Sequence, residues 1–395
     1  MTDPRRPPIP VSPDPARRLA KVAPFLAMDV LAAAAAKERQ GGDVVHMEVG
    51  QPSAPAPRPV REAARKALDH GLIGYTEALG LAVLRERIAR YYRDRHGIEV
   101  SPERVIVTTG SSAGFVLAFL ALFDAGARVA ITAPGYPAYR NILAALDLEA
   151  ATMPLHASER WTPNAAGIAG LHAEAPLDGV LVMSPANPSG TMIRHSAMTE
   201  IGAICRRERL WLISDEIYHG LTYEEPAQTA LVVDDDAIVI NSFSKYYCMT
   251  GWRIGWLVVP ERLVRPIERL AQNLYISPPY LSQVAALAAF DATDELEAVK
   301  ASYRRSRDLL LDAFPGIGLG ELHPADGAFY LYADVARFTN DSIDFCRRML
   351  DEAGVAATPG LDFDPIDGAH HVRFSFAGGE AVCREAVRRL KGWLR

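Results

Sequence analysis

The stretch "SFSKYYCMTGWRIGW", Ser242 to Trp256, sets a lysine between two apolar, strand-like runs, with two serines just ahead of it. The run before it, Ala237 to Ile240, is uncharged and mostly β-branched; the run after it, Ile254 to Val259, is similar and has Arg253 at its head. A lysine delivered by a buried strand loses solvation and needs a partner or a chemical task. The plain alternative is a lysine at a strand end reaching water, and the rest of the chain decides between the two.

Outward from that stretch, short β-rich runs alternate with longer helical patterns from about Val105 to Val259, the pattern of a parallel sheet covered by helices. The runs "RVIV", "ARVAIT", "GVLVM", "LWLIS" and "AIVIN" are followed at once by "TTGSSAG", "APGYPAY", "SPANPSG", "DEIYHG" and "SFSK". Open parallel sheets bind ligands beyond the carboxyl ends of their strands, so all five polar stretches face one sheet edge. Too few residues separate "AIVIN" from "IGWLVV" for a parallel crossover, which predicts that the latter runs antiparallel. Beyond a helical stretch around Leu281–Phe290 the pattern changes. A long charged helix near Asp294–Phe314, a strand in "GAFYLYADV", a helix near Ile343–Ala353 and a strand in "HHVRFSFA" predict a smaller α/β lobe, closed by a solvated amphipathic helix with Val387, Leu390 and Leu394 on one face. The expected organisation is an N-terminal arm with part of the small domain (1–50), a large domain (51–292) and a C-terminal small domain (293–395).

A formal net charge of −6 gives no general attraction to nucleic acid or to an anionic membrane. The four cysteines form no CxxC pair, so they frame neither a disulfide scaffold nor a zinc site, and a reducing cytoplasm is expected. The opening "MTDPRRPPIPVSPDPARR" lacks the apolar segment of a secretory signal, no apolar run of membrane-spanning length follows, and this start reads as a mobile or partner-clasping arm. "LAAAAAKER" reads as a plain helix. The histidines include no HExxH, and His370–His371 reads as a loop pair; no metal is expected.

Backbone N–H groups of Gly110, Ser111 and Ser112 at a helix start, hydroxyls of Ser242 and Ser244, and the Arg253 guanidinium together make a phosphate cup. "TTGSSAG" alone is equally a helix cap. Asp215, ending an apolar strand, is costly to keep ionised without a cation, and a protonated ring nitrogen is such a cation. Asn187 before proline also reads as a turn former, Tyr136 as packing, and Arg373 as an edge-strand charge.

Taken together, "SFSKYYCMTGWRIGW", "SDEIYHG" and "ANPSGT" resemble the fold type I pyridoxal-phosphate-dependent class I aminotransferases of the aspartate/aromatic/alanine superfamily. The resemblance extends from "MEVGQPSAPAP", around Gly50, to "HVRFSFA", around Arg373. It implies that Lys245 binds the cofactor covalently and moves the proton at the substrate Cα, that Asp215 pairs with the ring nitrogen, and that Tyr218 and Asn187 bond the phenolic oxygen. It also implies that Tyr136 stacks on the cofactor, that Arg373 clamps the substrate α-carboxylate with Asn187 and Gly50 beside it, and that Tyr75 reaches the phosphate of the other subunit in a homodimer. Some relatives selective for dicarboxylates carry a lysine where Ser112 stands. No arginine is identified for a side-chain carboxylate, so amino transfer from a neutral L-amino acid to a 2-keto acid is expected, with Phe25 and Met28 closing over the site. A same-fold lyase or synthase, or the effector domain of an aminotransferase-like regulator, are the alternatives.

Overall fold

Strand and helix alternate from Val105 onward because uninterrupted apolar runs of four to six residues cannot face water on either side and are covered by helices packed on both faces of one sheet. The computed structural model describes residues 14–320, 322–323 and 325–394. The first thirteen residues, most of the expected arm, lie outside the described residues.

In chain order the strands are β1 (Val45–His46), β2 (Val105–Thr108), β3 (Arg128–Ala133), β4 (Glu149–Pro154), β5 (Gly179–Met183), β6 (Trp211–Asp215), β7 (Ile238–Ser242), β8 (Gly255–Val258), β9 (Tyr330–Asp334), β10 (Val355–Ala356), β11 (Thr358–Pro359) and β12 (His371–Ser375). Seven of them form the main sheet in the order β2-β8-β7-β6-β5-β3-β4. The expected antiparallel strand is β8, which runs against both β2 and β7 while the β7-β6-β5-β3-β4 pairs are parallel.

Strand β4 is absent from the sequence reading. It is an edge strand that alternates buried and exposed residues and ends in proline, so it lacks the continuous apolar run that marks its neighbours. The first five helices are α1 (Leu26–Arg39), α2 (Arg58–His70), α3 (Ala82–His96), α4 (Ser111–Leu122) and α5 (Pro137–Ala145).

Two small sheets lie outside the main one. Strand β1 pairs parallel with β10, joining the N-terminal segment to the C-terminal part, and β11-β12-β9 is antiparallel. The long helix Thr293–Ala313 packs against the last helix, Glu380–Trp393. That last helix is less solvated than its pattern implied: Cys383, Ala386 and Leu390 are buried. One apolar cluster runs without a break from Val45 through the main sheet to Leu390, so the core itself marks no boundary. His370–His371 is not a loop pair, because His371 opens β12 and stacks on Tyr332 with ring centres 4.7 Å apart. No helix among the described residues is long and apolar enough to cross a membrane.

Candidate active site

Asp215 ends β6, where the apolar run before it has carried the chain through the core, and its side chain is only 2% exposed. Tyr139, on α5, donates to Oδ2 across 2.5 Å, and the Ile217 N–H donates to Oδ1 at 3.0 Å. Burial pushes the Asp215 carboxyl up to about 6, against the pull of those two bonds and of Lys245.

Lys245 follows β7, and its Nζ donates to the Gly50 carbonyl at 2.6 Å. Burial brings its amine down to about 8, helped by the cations Arg373 and Arg253 and opposed by Asp215. A Cβ on Gly50 would lie 1.6 Å from Tyr330 Oη, so any other residue there would push the Tyr330 ring aside and disturb its hydrogen bond to Tyr218.

Gly110, in the left-handed region, precedes α4, and a Cβ on it would sit 2.5 Å from Arg253 Nη2. The missing side chain therefore lets the guanidinium approach the first turn of α4, where Ser111 and Ser112 line the same cavity. Arg253 is steadied by donating from Nη1 to the Thr250 carbonyl at 2.9 Å. Ser244 is on the cavity wall, but Ser242 is behind it. The Ser242 hydroxyl lies 2.9 Å from Ser244 Oγ and 3.0 Å from the Ile254 carbonyl, and it accepts from Ser244 N–H at 3.1 Å, so it orients Ser244.

Arg373, in β12, is 2% exposed and projects into the same cavity. Its Nη1 donates to Asn187 Oδ1 at 2.9 Å, its Nη2 to Thr358 Oγ1 at 3.1 Å and to the Glu48 carbonyl. Its Cζ lies over the rings of Tyr330 and Phe363, 4.4 and 4.6 Å from their centres, and its Nε is buried without a partner. Tyr218 Oη and Tyr330 Oη share a hydrogen bond of 2.7 Å. Tyr136, with its hydroxyl raised to about 12 by burial, packs edge-on against Phe25 and Tyr139.

Asp215, Lys245, Gly50, Ser111, Ser112, Ser244, Arg253, Arg373, Asn187, Tyr218, Tyr330 and Tyr136 line one cavity of about 250 Å³, with Gly110, Tyr139, Ser242 and Thr358 behind its wall. A larger cleft of about 430 Å³ opens beside Trp161 and Asp364, but none of Lys245, Asp215, Arg253 or Arg373 borders it, so chemistry rather than volume selects the site. Of the residues expected there, only Tyr75 is remote: it is 80% exposed in the segment between α2 and α3 and does not border the cavity. Sequence reasoning missed Tyr139, Tyr330 and Thr358. The one available signal was the second tyrosine of "PGYPAY", one helical turn after Tyr136.

Pyridoxal phosphate fits this set on two observations. The Gly110 cradle opens the α4 N-terminus and Arg253 to a phosphate, and the buried Asp215 carboxylate needs a cation such as a protonated ring nitrogen. The family model for aminotransferase class I and II matches residues 42–390. The chain belongs to that family. The valine–pyruvate aminotransferase of Mycobacterium tuberculosis is 51% identical over 379 residues, which cover 95% of this chain and 97% of that one. Among solved structures, an aminotransferase from Mycobacterium tuberculosis superposes with a TM-score of 0.94 at 51% identity, covering 97% of this chain and 99% of that one. The Thermus thermophilus aspartate aminotransferase with maleate superposes with a TM-score of 0.91 at 30% identity, covering 96% and 100%. This aminotransferase is pyridoxal-phosphate-dependent and moves an amino group between an amino acid and a 2-keto acid. Amino transfer thereby prevails over the lyase and regulator alternatives.

Proposed function

We propose that this aminotransferase takes its amino group from a neutral L-amino acid, with Arg373 holding the donor's α-carboxylate. The observation that carries this reading is the distribution of charge around the cavity. Lys245 and Arg253 stand on the cofactor side, Arg373 is the one further cation on the wall among the described residues, and Phe25, Ala27, Met28, Val49 and Ile217 supply apolar surface. A second carboxylate entering such a pocket meets no partner and loses several kcal/mol. The likeness to a valine–pyruvate aminotransferase supports the same choice.

When bound, the cofactor supplies an electron-withdrawing ring that takes up the electrons freed at the substrate Cα. The protein's part is binding, orientation and proton movement. Lys245, whose amine is brought down to about 8, would hold the cofactor covalently and move the proton at Cα. Asp215, held by Tyr139 and Ile217, would pair with the ring nitrogen and keep it protonated. Asn187, whose Oδ1 is engaged by Arg373, has its amide nitrogen to offer to the phenolic oxygen, beside Tyr218. Gly110, Ser111, Ser112, Ser244 and Arg253 would hold the phosphate, with Ser242 behind them, and Tyr136 would cover the ring.

We further take the enzyme to be a homodimer that shares its sites. Leu68, Leu72, Ile73 and Tyr75 form an exposed apolar patch, and Thr76 ties it to Ser277 next to the exposed Leu274 and Ile276. A second copy covering this patch would bring Tyr75 to a neighbouring phosphate. Residues 51–292 then act as the cofactor-binding unit and 293–395 with the N-terminal segment as the small one. The four cysteines, all free and buried, favour a cytoplasmic setting.

The test is a half-reaction: cofactor-loaded enzyme mixed with valine in the absence of any keto acid. The reading requires loss of the bound cofactor's visible band with stoichiometric 2-keto acid; an unchanged spectrum with valine, alanine and leucine counts against it.

A further inference from the structure

Helix α1 begins at Leu26 with Phe25 as the preceding residue; the Phe25 carbonyl accepts from Met28 N–H at 2.9 Å, but its side chain has no acceptor for the N–H groups of Leu26 and Ala27. The acceptor comes from the other end of the chain. Asp362 Oδ1 accepts from Leu26 N–H and Oδ2 from Ala27 N–H, both at 3.1 Å, and the residue is 1% exposed. Burial raises its carboxyl above the ordinary range, while the two N–H donors, Arg373 and Arg140 pull the other way.

The same dipeptide gathers the remaining walls of the cavity. Arg140, on α5, donates to the Asp362 carbonyl at 2.5 Å; Gly135 N–H donates to the Phe363 carbonyl at 3.0 Å; and the Phe363 ring lies 4.6 Å from the Arg373 guanidinium. The segment before α1 is also docked on α5, by reciprocal bonds between Ala23 and Asn141. Three neighbours on this first turn, Phe25, Ala27 and Met28, are the apolar wall of the donor pocket.

We infer that Asp362 is a specificity-determining positioning residue: by capping α1 from 335 residues away it fixes the distance between the Phe25–Met28 wall and the Arg373 end of the site, and so the size of donor side chain that fits. The inference rests on the reading that the pocket between Arg373 and this wall takes the donor. Asp362 does not border the cavity and acts through the position of the helix turn. Its carboxylate suits this role because one residue supplies two acceptors in a fixed spacing and carries the charge that a helix N-terminus favours.

The test uses full-length, cofactor-loaded enzyme with Asp362→Asn and Asp362→Ala. For each, kcat/KM is measured with alanine, valine, leucine and phenylalanine at one fixed keto acid, together with hydrogen exchange at the Leu26 and Ala27 amides. Asp362→Ala is expected to shift the valine-to-alanine ratio by about tenfold, in keeping with the discrimination that one or two methylenes allow, and to speed exchange at both amides. Asp362→Asn keeps one carbonyl acceptor in nearly the same volume and should fall between, with slow exchange retained at one amide. A fall by one common factor for all four donors, or unchanged ratios with faster exchange, overturns the inference and leaves Asp362 a purely structural cap. The neutral-donor reading fails separately, on the parent enzyme alone, if aspartate or glutamate is its best donor.

Discussion

Tyr139 and Asp215 are joined by a hydrogen bond of 2.5 Å between the phenolic hydroxyl and Oδ2, with neither group reaching solvent. The pair comes from different layers, a helix and a strand end, and the bond stabilises the ionised carboxylate in a setting where burial alone favours its neutral form.

Tyr139→Phe should therefore fold, bind cofactor, and lose turnover. A hydrogen bond to a charged group is worth about 1.5–3 kcal/mol, which corresponds to roughly 10- to 100-fold in kcat. Because the bond holds the carboxyl down, its removal moves ionisation of Asp215 to higher pH, so the acidic limb of the kcat profile should shift upward. A profile identical to that of the parent would show that the bond does not tune Asp215.

The amine of Lys245 in the cofactor-free protein is brought down to about 8, and only its neutral form attacks a carbonyl. The rate of covalent cofactor attachment to the apoenzyme should accordingly rise as pH increases through about 8 and level off above it. Lys245→Ala should bind cofactor without the covalent link and lose turnover by at least about 10²–10⁴, the contribution of proton transfer alone. A rate of attachment flat across pH 7–9 would contradict the electrostatic account of this lysine.

Arg373 offers a planar fork already shaped by Asn187, Thr358 and the rings of Tyr330 and Phe363. Arg373→Lys keeps the charge but not the fork, and should lower kcat/KM for every α-amino acid by about 10- to 100-fold, mostly through KM. Cofactor content should be unchanged. Loss of cofactor with an unaltered KM would place Arg373 in the cofactor site instead.

Much of this site is legible in the sequence for one physical reason. Asp215, Lys245, Asn187 and Ser111 lie at or just beyond the carboxyl ends of buried, parallel strands, and Arg253 lies just ahead of antiparallel β8, so all five converge on one sheet edge. What escaped the sequence depends on contacts between segments far apart in the chain. Tyr330 reaches Gly50 and Tyr218 from the C-terminal region, Asp362 reaches Leu26 and Ala27, and Tyr139 turns towards Asp215 only because α5 packs where it does. Ser242 shares the motif with Ser244 and so reads as a phosphate contact, whereas the turn sends its hydroxyl to the Ile254 carbonyl. Strand β4 was missed because an edge strand exposed on one face carries only a weak alternating pattern.

The homodimer reading predicts that charge on the patch separates the subunits. Leu72, 90% exposed in one chain, and Ile276 do not border the cavity, so Leu72→Glu combined with Ile276→Glu should yield monomers by light scattering and weaken cofactor phosphate binding. Tyr75→Phe should weaken cofactor binding alone and leave the dimer intact. Parent enzyme that runs as a monomer while fully active would remove this part of the account.

The central claim is that the pocket holds one carboxylate of the donor and no second. It is tested most directly by kcat/KM for alanine, valine and leucine against aspartate and glutamate, each paired with pyruvate, 2-oxoglutarate and oxaloacetate. The account predicts that the best neutral donor exceeds both dicarboxylates by tenfold or more, about 1.4 kcal/mol or above in transition-state binding, whichever keto acid accepts the amino group. Aspartate or glutamate surpassing every neutral donor would contradict it.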